Sequence, residues 1–308
     1  MHPAFSVIFF TTLSGMGYGL WVLMGSQILL SDSANPQKNL SGLLLGFLLV
    51  AIGLSSSTLH LGKPLRAWRA FSQWRTSWLS REGVLAVICF IPALILITQN
   101  YLDHDYINKN ILAVALSLLS IATVICTAMI YASLKPIPAW QHAYVVPIYL
   151  LFACLAGGAL GTSIICIPSG SLSEYPVFAI LLLASLLGVL KKRYWKDIDT
   201  LSLPSRASAL GLKPDQIANV FERPHTEANY LTTEMGFVLA RKHSRKLRAV
   251  ALLLFSWLPI VFCIAALIVP QAFRGYLMLL TALSAYAGST VERWLFFAEA
   301  KHAVMQYY

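Results

Sequence analysis

Eight stretches of this chain are long and apolar enough to cross a bilayer as α-helix, and no other feature constrains the fold as much. They run roughly 6–30, 40–60, 83–100, 110–132, 143–167, 175–192, 249–269 and 275–298; a spanning helix takes about 20 residues. Backbone amides find no water in hydrocarbon, so each segment must satisfy its own hydrogen bonds. Barrel strands would alternate apolar and polar residues, and these runs do not. Of the 308 residues, 57% are hydrophobic and only 12% charged, about half the charged share of a soluble domain. The expected fold is therefore all-α: a polytopic membrane bundle of eight transmembrane helices, one membrane domain over residues 1–308. The N-terminus lacks the basic n-region and small-residue cleavage site of a signal peptide, so the first segment is expected to stay.

Lys and Arg set the orientation. The segments 61–82, 133–142, 191–248 and the C-terminal tail hold 5, 1, 12 and 2 of them, 20 in all. The opposite segments, 31–39, 101–109, 168–174 and 270–274, hold 1, 1, 0 and 1, which gives 3 and accounts for all 23. By the positive-inside rule both termini are expected in the cytoplasm, and the chain in an inner membrane. The same pattern explains the net charge of +10 without nucleic acid. Two cytoplasmic segments stand out. The first, 61–82, is short and basic. The second, 191–248, is a long loop broken by Pro204, Gly211, Pro214 and Pro224; its later half, from Glu227 to Arg248, has helical character and could run straight into the seventh membrane helix.

None of the seven histidines sits in the middle of an apolar run, so no axial pair is available for a haem inside the bundle. The five cysteines lie in or beside apolar runs without a C-x-x-C pair, which argues against an iron–sulfur cluster or zinc in this chain. His60 closes the second apolar run and Glu82 opens the third, so both fall at one membrane face on adjacent helices. Ionisable groups at that depth are costly and usually functional. An imidazole titrates near neutral pH, and a carboxyl withdrawn from water can be raised toward it. Such a pair suits a quinone, whose reduction takes up two electrons and two protons. Plain interface anchoring is the alternative reading of the same two residues. Between them lie Arg66, Arg69, Arg75 and Arg81 with Trp68, Trp74 and Trp78, a set that fits either lipid headgroups or a cationic platform for an acidic partner. Gly15 and Gly17 could make room for a flat ring or simply pack helices. Glu292-Arg293 near the end of the last run reads as an ion pair.

Leu59-His60-Leu61-Gly62-Lys63-Pro64-Leu65-Arg66-Ala67-Trp68, followed by Trp78-Leu79-Ser80-Arg81-Glu82, resembles the membrane anchors of the dimethyl sulfoxide reductase (DmsC) family. The resemblance implies a complex of three subunits: a molybdopterin catalytic subunit and a four-cluster iron–sulfur subunit on the cytoplasmic side, with the anchor exchanging electrons with menaquinone or ubiquinone. No molybdenum is then expected in this chain. It also implies that His60 and Glu82 are the quinone-site residues. Arg66, Arg81, Gly15 and Gly17 would complete that site, with Arg66 and Arg81 balancing charge on a reduced ring or orienting Glu82. Arg69, Arg75 and Trp68 would dock the partner. The long 191–248 segment departs from the plain anchors. His2 to Ile8, Pro224 to Phe237 and Glu292 to Phe297 are similar instead to the branch serving cytoplasmic sulfite dehydrogenase. The expected function is thus a quinone-reactive anchor, of a sulfite-oxidising or of a quinol-oxidising complex. A secondary transporter would place charge at midplane and show repeated halves, which the sequence does not. A tether with the quinone bound elsewhere is the third possibility.

Overall fold

The computed structural model describes residues 4–306 except 31–35, 60, 171–172, 202–205, 214–215, 220 and 223–238. Among the described residues eight long helices make the architecture: α1 (Phe5–Leu30), α2 (Pro36–Thr58), α3 (Trp78–Leu102), α4 (Lys109–Ala132), α5 (Val145–Ser169), α6 (Glu174–Thr200), α7 and α8 (Gln271–Ala298). Helix α7 comprises Leu239–Leu252, a π turn at Leu253–Trp257 and Leu258–Ile268. A ten-residue 3-10 helix, Pro64–Gln73, joins α2 to α3. Among the described residues there is no strand.

Seven of these helices, α1 to α7, are long and apolar enough to cross a membrane. The eighth expected span, α8, is 28 residues long but more polar, because Thr281, Ser289, Glu292 and Arg293 are buried in the bundle. The bundle is inside-out relative to a soluble protein. Ile52, Ile91, Leu118, Leu182 and Val261 are exposed on its outside, where lipid replaces water as solvent. Helices α1 and α5 are innermost, with 67% and 61% of their apolar windows buried. Helix α1 packs on α2, α4 and α5, while α8 packs on α5 and α7.

Two boundaries differ from expectation. Helix α6 continues through residues 191–200, which sequence alone assigns to the long loop. Lys191, Tyr194 and Trp195 are buried there, extending the inward stripe of Leu187 and Gly188 at helical spacing, while Lys192, Arg193 and Lys196 point outward. Helix α3 begins earlier than expected, at Trp78, because Ser80 and Arg81 are tied to the preceding 3-10 helix. The continuous run into α7 is observed from Leu239 onward; residues 227–238 lie outside the described set. The π turn in α7 precedes Pro259, which has no N–H and crowds the carbonyl four residues earlier.

The α1–α5 crossing depends on glycine. A Cβ on Gly19 would overlap the Ala153 carbonyl, and one on Gly157 would meet the backbone of α1 at Gly19 and Leu20. A Cβ on Gly158 meets nothing. Gly19→Ala is therefore expected to cost about 1–3 kcal/mol and lower the unfolding midpoint of the detergent-solubilised protein. Gly158→Ala should leave that midpoint unchanged.

Candidate functional site

The polar residues of the bundle gather at the end where α1 and α3 start and α2, α4 and α8 finish. The connecting 3-10 helix covers part of this end and packs on α3. Ser80 Oγ donates to the Ala70 carbonyl and accepts from the Gln73 amide at 3.1 Å. Arg81 Nε donates to the Trp74 carbonyl at 3.1 Å and Nη2 to the Arg75 carbonyl at 2.6 Å. Its guanidinium carbon lies 4.4 Å from the Trp78 ring centroid. These bonds take up carbonyls at the C-terminal end of a short helix, which would otherwise lack partners. The rest of the loop is open. Leu65, Trp68 and Trp74 are 95%, 65% and 54% exposed. Arg69 and Arg75 lie over the rings of Trp68 and Trp74 at 5.7 and 5.5 Å.

One turn into α3, Glu82 points the other way. It is buried, and its Oε1 has no hydrogen-bond partner among the described residues. Tyr18, Cys126 and Tyr131 are within its electrostatic reach. The Tyr18 hydroxyl is likewise buried without a partner. Orphaned buried polar atoms are rare and call for an explanation.

Deeper in, Thr12, Tyr18, Thr127, Tyr149, Ser289 and Arg293 border a cavity of about 20 Å³ between α1, α4, α5 and α8. Gly15 also borders it, and a Cβ there would meet open space. Gly17 instead faces Val50 and Gly46 and lets α2 approach α1. Arg293 lies with its guanidinium carbon 3.6 Å from the Tyr149 ring centroid and its Nε 3.5 Å from Glu292 Oε2. Its side chain also meets the Tyr149 hydroxyl. Glu292 Oε1 pairs with Lys191 Nζ, which sits 3.9 Å from the Tyr194 ring centroid. An aromatic cluster of Tyr131, Trp140, Tyr149, Phe296 and Phe297 closes this end, fixed by the Trp140 indole N–H donating to the Phe296 carbonyl at 2.9 Å.

Of the residues singled out from sequence, the structure thus places Glu82 and Gly15 in the interior at this end. Arg66, Arg69, Arg75 and Trp68 are exposed on the loop above. Arg81 serves the loop itself, and His60 lies outside the described residues. Glu292 and Arg293 do form the pair expected of them. Lys191 is the member that sequence reasoning missed; it counts there only as a loop cation. Its spacing from Leu187, Gly188, Tyr194 and Trp195 is the signal that puts it on the inner face.

A bundle of several apolar helices with buried titratable groups at one end defines a multi-pass membrane protein built around a polar interior site. The family model described as DMSO reductase anchor subunit (DmsC) matches residues 1–298, and the chain belongs to that family of membrane anchors of redox enzyme complexes. It is 31% identical, over an alignment of 332 residues, to a subunit of the sulfite dehydrogenase of Allochromatium vinosum, covering all of this chain and 99% of that one. It is also 24% identical over 167 residues to anaerobic dimethyl sulfoxide reductase chain YnfH of Escherichia coli, covering 52% of this chain and 56% of that one.

Proposed function

We propose that this chain is the quinone-reactive membrane anchor of a three-subunit molybdopterin and iron–sulfur oxidoreductase. Eight helices cross the bacterial inner membrane, with both termini and the loop end of the bundle on the cytoplasmic side. The observation that carries the reading is Glu82: a buried carboxyl with a free oxygen, one turn below a loop of exposed tryptophans and arginines. Full-length similarity to a sulfite dehydrogenase subunit favours a sulfite-oxidising complex. The shorter match to a dimethyl sulfoxide reductase chain supports the quinol-oxidising alternative.

The residues present fit a quinone. Its two ring oxygens each need a partner that can donate or accept a proton, and Glu82 offers such an atom. When bound, the quinone accepts or gives up two electrons and two protons. Glu82 holds or takes a proton at Oε1, with Tyr18 and Tyr131 within its electrostatic reach. His60, two residues past the end of α2, supplies the partner for the second ring oxygen. Gly15 borders the small cavity of about 20 Å³ beside Tyr18, and Gly17 holds α2 close. Arg66 contributes positive charge above the site, and Arg81 keeps the loop seated on α3. The iron–sulfur subunit docks on the platform of Trp68, Arg69 and Arg75, whose stacked guanidinium groups are solvated and positively charged. A quinone held by His60 and Glu82 would then be able to exchange electrons with that subunit.

Binding of a quinone analogue to the assembled complex tests the site. His60→Ala should weaken it about tenfold, the worth of one hydrogen bond to a charged or strongly polar group. Unchanged affinity in a membrane-bound, fully assembled variant would remove His60 from the site.

A further inference from the structure

The outer surface of α6 changes character within one turn. Leu182, Leu186 and Val189 are exposed on it at helical spacing. The same stripe continues through Arg193 and Lys196, with Lys192 at its edge, and all three cations are exposed. Lys191, Tyr194 and Trp195 on the opposite face are buried. The outer stripe of the neighbouring α7 is apolar, with Leu253, Trp257 and Val261 exposed. The two helices meet closely between these stripes. Ser256 Oγ donates to the Ala184 carbonyl at 3.0 Å, and a Cβ on Gly188 would overlap Ser256. Val189 and Trp257, the next residue along each helix, are exposed and flank a shallow groove over that contact. Lys192 reaches across it, with Nζ 5.5 Å from the centroid of the Trp257 ring.

These cations are not neutralised by the protein. Among the described residues Lys192, Arg193 and Lys196 form no ion pair. The acids at the same helix end are engaged elsewhere: Asp197 lies 3.4 Å from His142 Nε2, and Asp199 takes the Arg248 guanidinium at 2.7 Å. Insertion topology asks for positive charge on the loop side of a span, but not for its place on the lipid-facing stripe. The helix dipole favours cations only within the last turn, and Lys192 and Arg193 precede the end of α6 at Thr200 by two turns. Trp257 marks the depth. An exposed indole on a spanning helix sits at the level of the headgroups, and the Lys192 ammonium lies beside it.

We propose that the α6–α7 groove holds an anionic phospholipid, its phosphate diester bound by Lys192, Arg193 and Lys196 and an acyl chain lying against Val189, Leu253 and Trp257. Charge complementarity selects the occupant. A zwitterionic headgroup brings its own cation to the phosphate, whereas an anionic one leaves the three side chains to neutralise it. Each Lys or Arg near the surface gives about a fivefold preference for an anionic lipid. The apolar walls select a lipid over a soluble phosphate, which would cover none of that surface. The site depends neither on Glu82 nor on a quinone. It needs only that α6 and α7 face lipid, as the exposed apolar stripes of a membrane anchor do.

The test is native mass spectrometry of the whole complex in detergent, titrated with phosphatidylglycerol or with phosphatidylcholine of the same acyl chains. Lys192→Gln/Lys196→Gln should weaken the tightest phosphatidylglycerol by about tenfold or more and leave phosphatidylcholine binding unchanged. Both side chains are exposed and glutamine is a good helix former, so α6 should fold as before. Lys135→Gln/Lys301→Gln removes the same charge from exposed positions elsewhere at this end and should have no effect. Glycerol phosphate, which carries the anion without acyl chains, should not compete at equal concentration. Equal phosphatidylglycerol affinity in the parent and in Lys192→Gln/Lys196→Gln overturns the site. An equal loss in Lys135→Gln/Lys301→Gln also overturns it, since net charge would then be the cause. Competition by glycerol phosphate would mean a free-anion site and overturns the lipid as occupant.

Discussion

Glu82→Gln should lower quinone-coupled turnover of the assembled complex by about a hundredfold, within the range that a positioned acid–base group contributes. Glutamine has nearly the same shape and keeps an acceptor oxygen but cannot exchange a proton, so the substitution separates chemistry from packing. Folding should be preserved, because the Glu82 oxygen makes no bond among the described residues that glutamine would lose. Dye-coupled turnover should also be preserved, since it bypasses the membrane site. Affinity for a quinone analogue should change little, so the loss falls on the maximal rate rather than on the quinone concentration needed for half-saturation. That pattern identifies an interaction used in the chemical step rather than in binding. A rate equal to the parent's, in a complex that stays membrane-bound, would mean that protons reach the quinone without this carboxyl and that the site lies elsewhere.

The parts of the fold legible from sequence are those set by the bilayer. Length and apolarity mark α1 to α7, because lipid enforces both on a spanning helix. Helix α8 was legible as a long segment, although Glu292, Arg293 and its serines and threonines leave it without the apolar stretch that marks the other seven. What sequence could not supply is direction. Arg81 adjoins Glu82 in the chain, yet successive residues on a helix face different ways, and its guanidinium turns to the loop carbonyls instead of the carboxyl. Gly15 and Gly17 are two positions apart and do unlike things: one leaves space at the cavity, the other admits α2. Lys191 shows the limit most clearly. A lysine after an apolar run reads as the first cytoplasmic cation, and only a partner 101 positions later in the chain, Glu292, shows that it belongs to the interior.

That partnership makes an asymmetric prediction about stability. Glu292 neutralises two buried cations, Lys191 on one oxygen and Arg293 on the other. Glu292→Leu leaves both uncompensated among apolar and aromatic side chains, and breaking a buried pair by removing one partner costs about 3–5 kcal/mol. The solubilised complex should unfold at a markedly lower temperature or fail to assemble. Lys191→Met should cost less, because Glu292 keeps Arg293 at 3.5 Å. Combining the two substitutions should recover only the part of that loss owed to Lys191, because Arg293 stays uncompensated in the double variant as in Glu292→Leu. The coupling between the sites, measured as a double-mutant cycle on unfolding, should therefore be large and favourable. If the doubly substituted complex is as unstable as Glu292→Leu alone, the Lys191 pairing contributes little and Arg293 is the cation that matters.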